Sequence, residues 1–321
     1  MGKRRIRCLN SIGNFEIVGL DPRLDRRIEA SKLYGIKTYE NLEQTLLSFK
    51  PNVFVISTPP DLHMHYAFEA TYLGADSFIE ASVVDADKFG DLSRKCKSMG
   101  LISLPSCTMK YFPGPRKIKE LVELGIVGEI LAINYHVGQY LGDWHSFEPI
   151  SEYYVSKRYT GGARELVPFE LTWLNDIFGQ PEIVNSFKTK LSDIEADIDD
   201  IYQFTLLYKQ KIVANLIIEV ISRPVATREL RIIGSNGIIV FSGERNLVCS
   251  IKSKNHAWDE FYLPILTAEP GYINPETPYI EEMNDFISAI RLRDVTLFPN
   301  SLENDFKVLQ NLIRIEQLSN A

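Results

Sequence analysis

Pro51-Asn52-Val53-Phe54-Val55-Ile56-Ser57-Thr58-Pro59-Pro60-Asp61-Leu62-His63, a helical run, and then Gly74-Ala75-Asp76-Ser77-Phe78-Ile79-Glu80-Ala81-Ser82 form the stretch whose reading decides the fold. Val53 to Ile56 is a short apolar run rich in β-branched residues, the pattern of a strand buried on both faces of a parallel sheet. Ser57-Thr58-Pro59-Pro60 stops it, because proline has no amide to give to the ladder. Asp61 is placed to cap the helix that follows, since its carboxylate can accept from free amides. Ser77 to Ile79 gives the next strand, with Glu80 at its carboxyl end. The stretch is a strand–helix–strand unit that sets polar residues where open α/β sheets bind ligands.

Thr58-Pro59-Pro60, His63 and Glu80 resemble the glucose–fructose oxidoreductase / inositol dehydrogenase / MocA (Gfo/Idh/MocA) family. Its pattern is a strand, Thr-Pro or Asn-Pro, a histidine a few residues on, and Glu-Lys-Pro after the next strand. Ala81 and Ser82 stand in place of the lysine and proline. The resemblance runs along nearly the whole chain. It implies an α/β fold with a Rossmann-like dinucleotide-binding domain over residues 1–112. An α/β domain with a large, mostly antiparallel sheet would follow over residues 113–321 and serve substrate binding and oligomerisation. The implied activity is an NAD(P)-dependent oxidoreductase acting on a sugar or nucleotide sugar.

Composition is compatible with this. A formal charge of −7 does not suit a surface for nucleic acid or for an anionic membrane. The length suits two domains. Cys8, Cys96, Cys107 and Cys249 are scattered, without a Cys-x-x-Cys pair, and read as free thiols in a reducing cytoplasm. No apolar run is long enough to span a bilayer, and no signal-peptide core follows Lys3-Arg4-Arg5.

A dinucleotide-binding fold opens with a strand, a glycine-rich turn and a helix. Met1-Gly2-Lys3-Arg4-Arg5-Ile6-Arg7-Cys8-Leu9 reads instead as the first helix entered midway through the glycine loop, with Phe15 to Leu20 as the next strand. The first strand and leading glycines are therefore expected to be missing. Either Met1 is an internal methionine of a longer protein, or the protein is a shortened relative poor in cofactor. The nucleotide-site features that remain favour the former. Asp21 closes its strand where the acidic residue of the fold bonds ribose hydroxyls, which favours NAD. Arg23, Arg26 and Arg27 offer the NADP alternative, a 2′-phosphate site. With Asp21, the expected cofactor residues are Gly2, Thr58, Pro59, Pro60, His63 and Glu80. His63 also reads as a satisfied helix-face histidine, and no metal-ligand spacing is present.

Leu101 to Leu104 gives a further strand, and Ser106 to Gly114 resembles the family's crossover, with Lys110 where an arginine is common. Strands are predicted over 130–137, 183–189, 201–208, 212–220, 229–233 and 237–241. Ile280, Met283, Phe286, Ile287 and Ile290 recur at helical spacing, as do Phe306, Leu309, Leu312 and Ile313. Val137 to His145 resembles the branch of the family that acts on sugars. Trp144, His145 and Tyr154 are therefore candidates for a sugar site, where aromatic faces with polar tips suit ring and hydroxyls.

The family next places an acidic residue, a histidine four residues on, and an aspartate three further. Here these positions hold Glu165, Phe169 and Thr172, with Glu170 matching a glutamate common beside the histidine. Pro168 is expected in the first turn of the helix, preceded by extended Val167. Glu165 would then enter from the preceding loop, with Phe169 and Thr172 facing the substrate cleft. Phenylalanine cannot carry a proton and Ala81 cannot replace the lysine, a loss of acid–base help worth ~10²–10⁴-fold. Glu165, Lys110, His145 and Tyr154 are the candidate substitutes, with Glu165 and Lys110 placed first, and Glu165 is read either as the base or as half of an ion pair. The alternatives are a non-catalytic relative that binds a sugar or a protein partner, or non-redox use of bound NAD. A homodimer or homotetramer is expected through the open face of the sheet.

Overall fold

The computed structural model describes residues 1–145, 148–254 and 256–319. The first part of the chain alternates α1 (Gly2–Ile12), β1 (Val18–Leu20), α2 (Leu24–Tyr34), β2 (Lys37–Tyr39), α3 (Leu42–Ser48), β3 (Val53–Ile56), α4 (His63–Tyr72), β4 (Asp76–Ile79), α5 (Phe89–Met99) and β5 (Ser103–Pro105). Every pairing among these strands is parallel. They fall into two groups, β1–β2 and β3–β4–β5, with no pairing between β1 and β3 among the described residues. Local chemistry fits each turn. Asn41 caps α3 by accepting from the Gln44 amide, and Gly100 closes α5 in the left-handed conformation that costs glycine little.

Next come α6 (Pro113–Glu123), β6 (Ile130–Gly138), α7 (Ala163–Phe178), β7 (Glu182–Thr189), β8 (Ile201–Tyr208), β9 (Ile212–Glu219), β10 (Thr227–Gly234), β11 (Gly237–Ser242), β12 (Leu247–Lys252) and β13 (Asp259–Tyr262). They form one eight-stranded sheet in the order β13-β12-β11-β10-β6-β9-β8-β7, antiparallel except where β6 runs parallel to β9. Period-two burial is clear in β8, where Tyr202, Phe204, Leu206 and Tyr208 point inward, and in β9, where Ile212, Ala214, Leu216 and Ile218 do. That face is covered by α7 and by α9 (Leu302–Ser319), which lies along β7. The other face is open and carries Asn134, His136, Phe187, Thr205, Asn215 and Arg231 around a concavity of about 630 Å³.

The expected fold class is the one observed, a Rossmann-like domain followed by an α/β domain with a large, mostly antiparallel sheet. Three strands had no strong signal: β2, β12 and β13. One helix differs. α7 begins at Ala163, so Pro168 lies inside it, Val167 is helical and Glu165 sits in its first turn. The cause is the Gly161-Gly162 pair. A Cβ on Gly161 would lie 2.2 Å from the Val155 backbone, and Gly162 has φ +66°. Two glycines thus let the chain turn into a helix five residues before the proline. Helix α8 (Thr277–Leu292) returns to the first domain: Tyr279, Met283, Phe286 and Ile287 share a core with Cys8 and Leu9 of α1, Phe78 of β4 and Leu104 of β5.

Candidate functional site

The nucleotide side is built from the carboxyl ends of β1, β3 and β4 and the start of α1. Asp21 directly follows β1. Its amide donates to the Tyr39 carbonyl at 3.1 Å, and its Oδ1 accepts from the Arg23 amide at 2.8 Å. Thr58 follows β3, and its Oγ1 is buried without a hydrogen-bond partner. Pro59 and Pro60 turn the chain into a 3₁₀ segment at Pro60–Leu62. Gly2 opens α1, and a Cβ on it would lie 4.0 Å from the Ser57 Cβ, so the amino end of this helix abuts the end of β3. Unpaired amides at a helix start favour an anion.

His63 takes the structural role. It is 2 % exposed, with Nε2 2.9 Å from the Thr58 carbonyl and Nδ1 3.2 Å from the Ser82 hydroxyl. A carbonyl only accepts, so Nε2 carries the proton and Nδ1 accepts from Ser82. Burial pushes the ring below its ordinary value, so it is neutral at pH 7 and braces the ends of β3 and β4. Glu80 is engaged by Arg5. Its two oxygens accept from Arg5 Nε at 2.6 Å and Arg5 Nη2 at 3.0 Å. Burial acts to raise this carboxyl, but the Arg5 charge and hydrogen bond outweigh it and hold the group ionised. Arg5 also reaches Glu282 at 2.9 Å, so one guanidinium ties α1 to β4 and α8. No local pattern marks this contact, since the partners lie 75 and 277 residues further on.

The second side comes from the start of α7 and the segment before it. Tyr154 donates its hydroxyl to Glu165 Oε1 at 2.8 Å. Glu165 Oε2 is buried without a partner. Burial pushes this carboxyl up to about 7, against the Tyr154 hydrogen bond, which acts to lower it. Burial, and then the neighbouring Glu165 charge, keep the Tyr154 phenol well above its ordinary value. Tyr153 packs edge-on to Tyr154 at 5.9 Å, and His145 stacks on Tyr153 at 4.6 Å. The Tyr153 hydroxyl and Trp144 Nε1 are buried polar atoms without partners. His145 Nδ1 lies 3.3 Å from Glu148 Oε1, and burial pushes its ring below the ordinary value. Ordinary proteins leave few buried polar atoms unpaired. Thr58 Oγ1, Trp144 Nε1, the Tyr153 hydroxyl and Glu165 Oε2 are thus the atoms a bound molecule could satisfy.

The other candidates do not join them. Lys110 donates to Asp176 Oδ1 at 2.8 Å and to the Pro299 carbonyl at 2.6 Å. Asp176 lies eleven residues past Glu165 on α7, about 16 Å along the axis at 1.5 Å per residue. Lys110 therefore anchors the far end of the helix, away from Glu165. Thr172 returns its hydroxyl to the Pro168 carbonyl at 2.7 Å. Phe169 is half-buried against the main core, one turn past Glu165. Glu170 is fully buried: its Oε2 accepts from Tyr135, Trp173 and Arg228, and its Oε1 lies 2.8 Å from Arg228 Nη2. It ties α7 to the sheet. Among the described residues, no group of three or more His, Cys, Asp or Glu side chains is placed to hold a metal ion, and no helix is long and apolar enough to cross a membrane.

The elements define a Rossmann-like domain joined to an α/β domain, with the start of α7 tied to the segment after β4 by Arg164, which donates to the Val83 carbonyl at 2.5 Å. Residues 116–240 match the GFO/IDH/MocA C-terminal domain, as the resemblance of the sequence implied. No curated protein matches the chain. Solved structures share the fold at low identity. An oxidoreductase from Agrobacterium radiobacter in complex with NAD+, L-tartaric acid and magnesium superposes with a TM-score of 0.84 at 11% identity, covering 99% of this chain and 93% of its own. A levoglucosan dehydrogenase in complex with NADH and levoglucosan gives 0.80 at 15%, with coverage of 99% and 93%. An NAD-binding oxidoreductase from Klebsiella pneumoniae gives 0.78 at 15%, with coverage of 99% and 92%.

Proposed function

We propose that this protein is an NAD-dependent oxidoreductase that oxidises a hydroxyl-bearing carbon of a sugar or nucleotide sugar, with Glu165 as the proton acceptor. The observation that carries the reading is Glu165 itself: a buried carboxyl, pushed up to about 7, with one oxygen held by Tyr154 and the other unpartnered. A base works best when its proton affinity lies near the working pH, and Glu165 meets that condition where Phe169 cannot.

The dinucleotide would supply the hydride acceptor. Gly2, Asp21 and Thr58 are the residues that would hold it: the helix start for its pyrophosphate, the carboxylate for ribose hydroxyls, and the orphan hydroxyl at the end of β3. Glu165 Oε2 takes the substrate hydroxyl proton, while Tyr154 fixes the carboxylate through Oε1. The Tyr153 hydroxyl and Trp144 Nε1 provide hydrogen-bond donors to further hydroxyls, and His145 against Tyr153 extends an aromatic surface that suits a sugar ring. Oxidation requires the ionised carboxylate, so its rate rises as the pH passes upward through about 7, and the reverse reduction falls. The two-domain division at residue 112 fits this reading, with α8 as a return to the first domain. The open sheet face, with exposed Phe187 and Val213, suits self-association into a dimer or tetramer, and four unpaired thiols suit the cytoplasm.

The test is Glu165→Gln, which keeps size and hydrogen bonding but removes the base. Followed by NADH absorbance on a panel of sugars and nucleotide sugars, turnover is expected to fall at least tenfold, ~1.4 kcal/mol of barrier, with NAD affinity unchanged. Unchanged turnover removes Glu165 as the base. Phe169 and Ala81 favour a second reading, a binding protein without catalysis. NAD bound with no turnover on any sugar would select it.

A further inference from the structure

The two arginines after β1 do not wait for a ligand; they are held by the second domain. Glu148 is 122 to 125 residues away, yet its Oε2 lies 3.2 Å from Arg26 Nη2 and 3.5 Å from Arg23 Nη1. Its Oε1 lies 3.4 Å from the same Arg26 nitrogen and 3.3 Å from His145 Nδ1. The Glu148 side chain is only 9% exposed, whereas both arginine side chains are nearly half exposed. The carboxylate is the enclosed partner, and the guanidinium groups close over it from the rim.

The position gives the contact its meaning. In a dinucleotide-binding domain the acidic residue at the end of this strand bonds the ribose hydroxyls, and a neighbouring arginine is what receives a 2′-phosphate. Asp21 stands at that strand end, with Arg23 and Arg26 two and five residues on. Arg23 is occupied a second time, by Asp25 at 2.7 Å. Arg27 is turned away to the Asp21 and Pro22 carbonyls at 2.8 and 2.9 Å. No other cation follows Asp21 within α2 until Lys32.

We infer that Glu148 is a specificity residue: it occupies Arg23 and Arg26 in place of a 2′-phosphate and makes the cleft selective for NAD over NADP. A dianionic phosphate brought to these arginines meets a carboxylate already bound there. It must either displace it, leaving a largely buried carboxylate with only its His145 contact, or sit beside it against like-charge repulsion. A free 2′-hydroxyl meets neither obstacle. The same carboxylate holds His145, so the selecting contact at the adenosine end is joined to the aromatic stack that leads, through Tyr153 and Tyr154, to Glu165. Selectivity is thus carried by a residue of the second domain.

The inference rests on the dinucleotide reading above, and calorimetry separates the two. NAD+ and NADP+ are titrated into the full chain, into Glu148→Gln, and into Glu148→Gln combined with Arg23→Gln and Arg26→Gln. The expected result is that Glu148→Gln improves NADP+ affinity relative to NAD+ by about tenfold, the worth of a charge-assisted hydrogen bond regained, and that the triple variant loses the gain. NAD+ binding with an unchanged ratio in Glu148→Gln overturns the role of Glu148 and leaves the cofactor reading standing. A gain that persists in the triple variant also overturns it, because the arginines would not be the receiving groups. Binding of neither dinucleotide by the full chain overturns both.

Discussion

Replacing Glu165 by glutamine should stabilise the protein at high pH and leave it unchanged at low pH. The folded state moves this carboxyl from an ordinary 4.5 up to about 7. Each pH unit between the two values is worth ~1.4 kcal/mol, so holding Glu165 ionised costs the fold about 3 kcal/mol. The direction follows from proton linkage. A group whose proton is bound more tightly in the folded state contributes stability below its unfolded value, and that contribution is lost as the pH rises through the folded one. Wild type should therefore lose stability relative to Glu165→Gln between about pH 4.5 and pH 8. The difference between the two proteins cancels every other titrating group. Glutamine can still accept from Tyr154, so the hydrogen bond at Oε1 survives. At ~2 °C per kcal/mol for a chain of this size, thermal melts followed by circular dichroism should agree at pH 5 and separate by about 5 °C at pH 8, the variant being higher. Tyr154→Phe removes the interaction that lowers the carboxyl and should steepen the wild-type loss. Curves for wild type and Glu165→Gln that run parallel at every pH would refute the buried, proton-holding carboxyl, and with it the reason for choosing Glu165 as the base.

Asp305, in the first turn of α9, is a second carboxyl of this kind: burial pushes it up to about 7 and its Oδ2 has no partner. Asp305→Asn should raise stability by ~4 kcal/mol at pH 8 and little at pH 4, read from urea unfolding at the two values; a loss at pH 8 would mean that the charge is paid for by the helix start. Lys110→Met should leave turnover and NAD affinity unchanged and cost ~1 kcal/mol in urea unfolding, because Asp176 keeps Lys119 at 2.7 Å. A fall in turnover without loss of stability would return Lys110 to the cleft.

Much of the fold was legible because it rests on short-range pattern. Val53 to Ile56 and Asp76 to Ile79 are the parallel strands that their apolar runs and proline stop require, and His63 heads the helix between them. The alternation of Tyr202 to Tyr208 and Ile212 to Ile218 marks a sheet with one covered face. β2 escaped because Lys37, Thr38 and Tyr39 are held by main-chain pairing to β1 with little side-chain burial, so no apolar signal is needed. β13 is an edge strand with exposed Asp259, Glu260 and Tyr262, and it reads as loop for the same reason.

The site was legible by residue type and less so by partner. Glu165 and Tyr154 come together as side chains eleven residues apart can when a glycine pair folds the chain between them, and the orphan atoms on Thr58 and Trp144 fall on residues singled out by the resemblance. Pro168 misled because the preference of proline for a first turn is strong when nothing else starts the helix. Here the close approach of Gly161 to Val155 starts it earlier. Lys110 misled because a lysine near a crossover says nothing about which end of α7 it will reach. Arg5 and Glu148 carried no local signal at all. Their worth lies in partners 75 and more than 120 residues away, and both join parts of the chain that pattern reads separately. A family motif places backbone and so indicates where a cleft will be. Which charges are free within it is decided by long-range pairing, and in this protein that pairing ties up Glu80, Lys110, Arg23 and Arg26 while leaving one oxygen of Glu165 unclaimed.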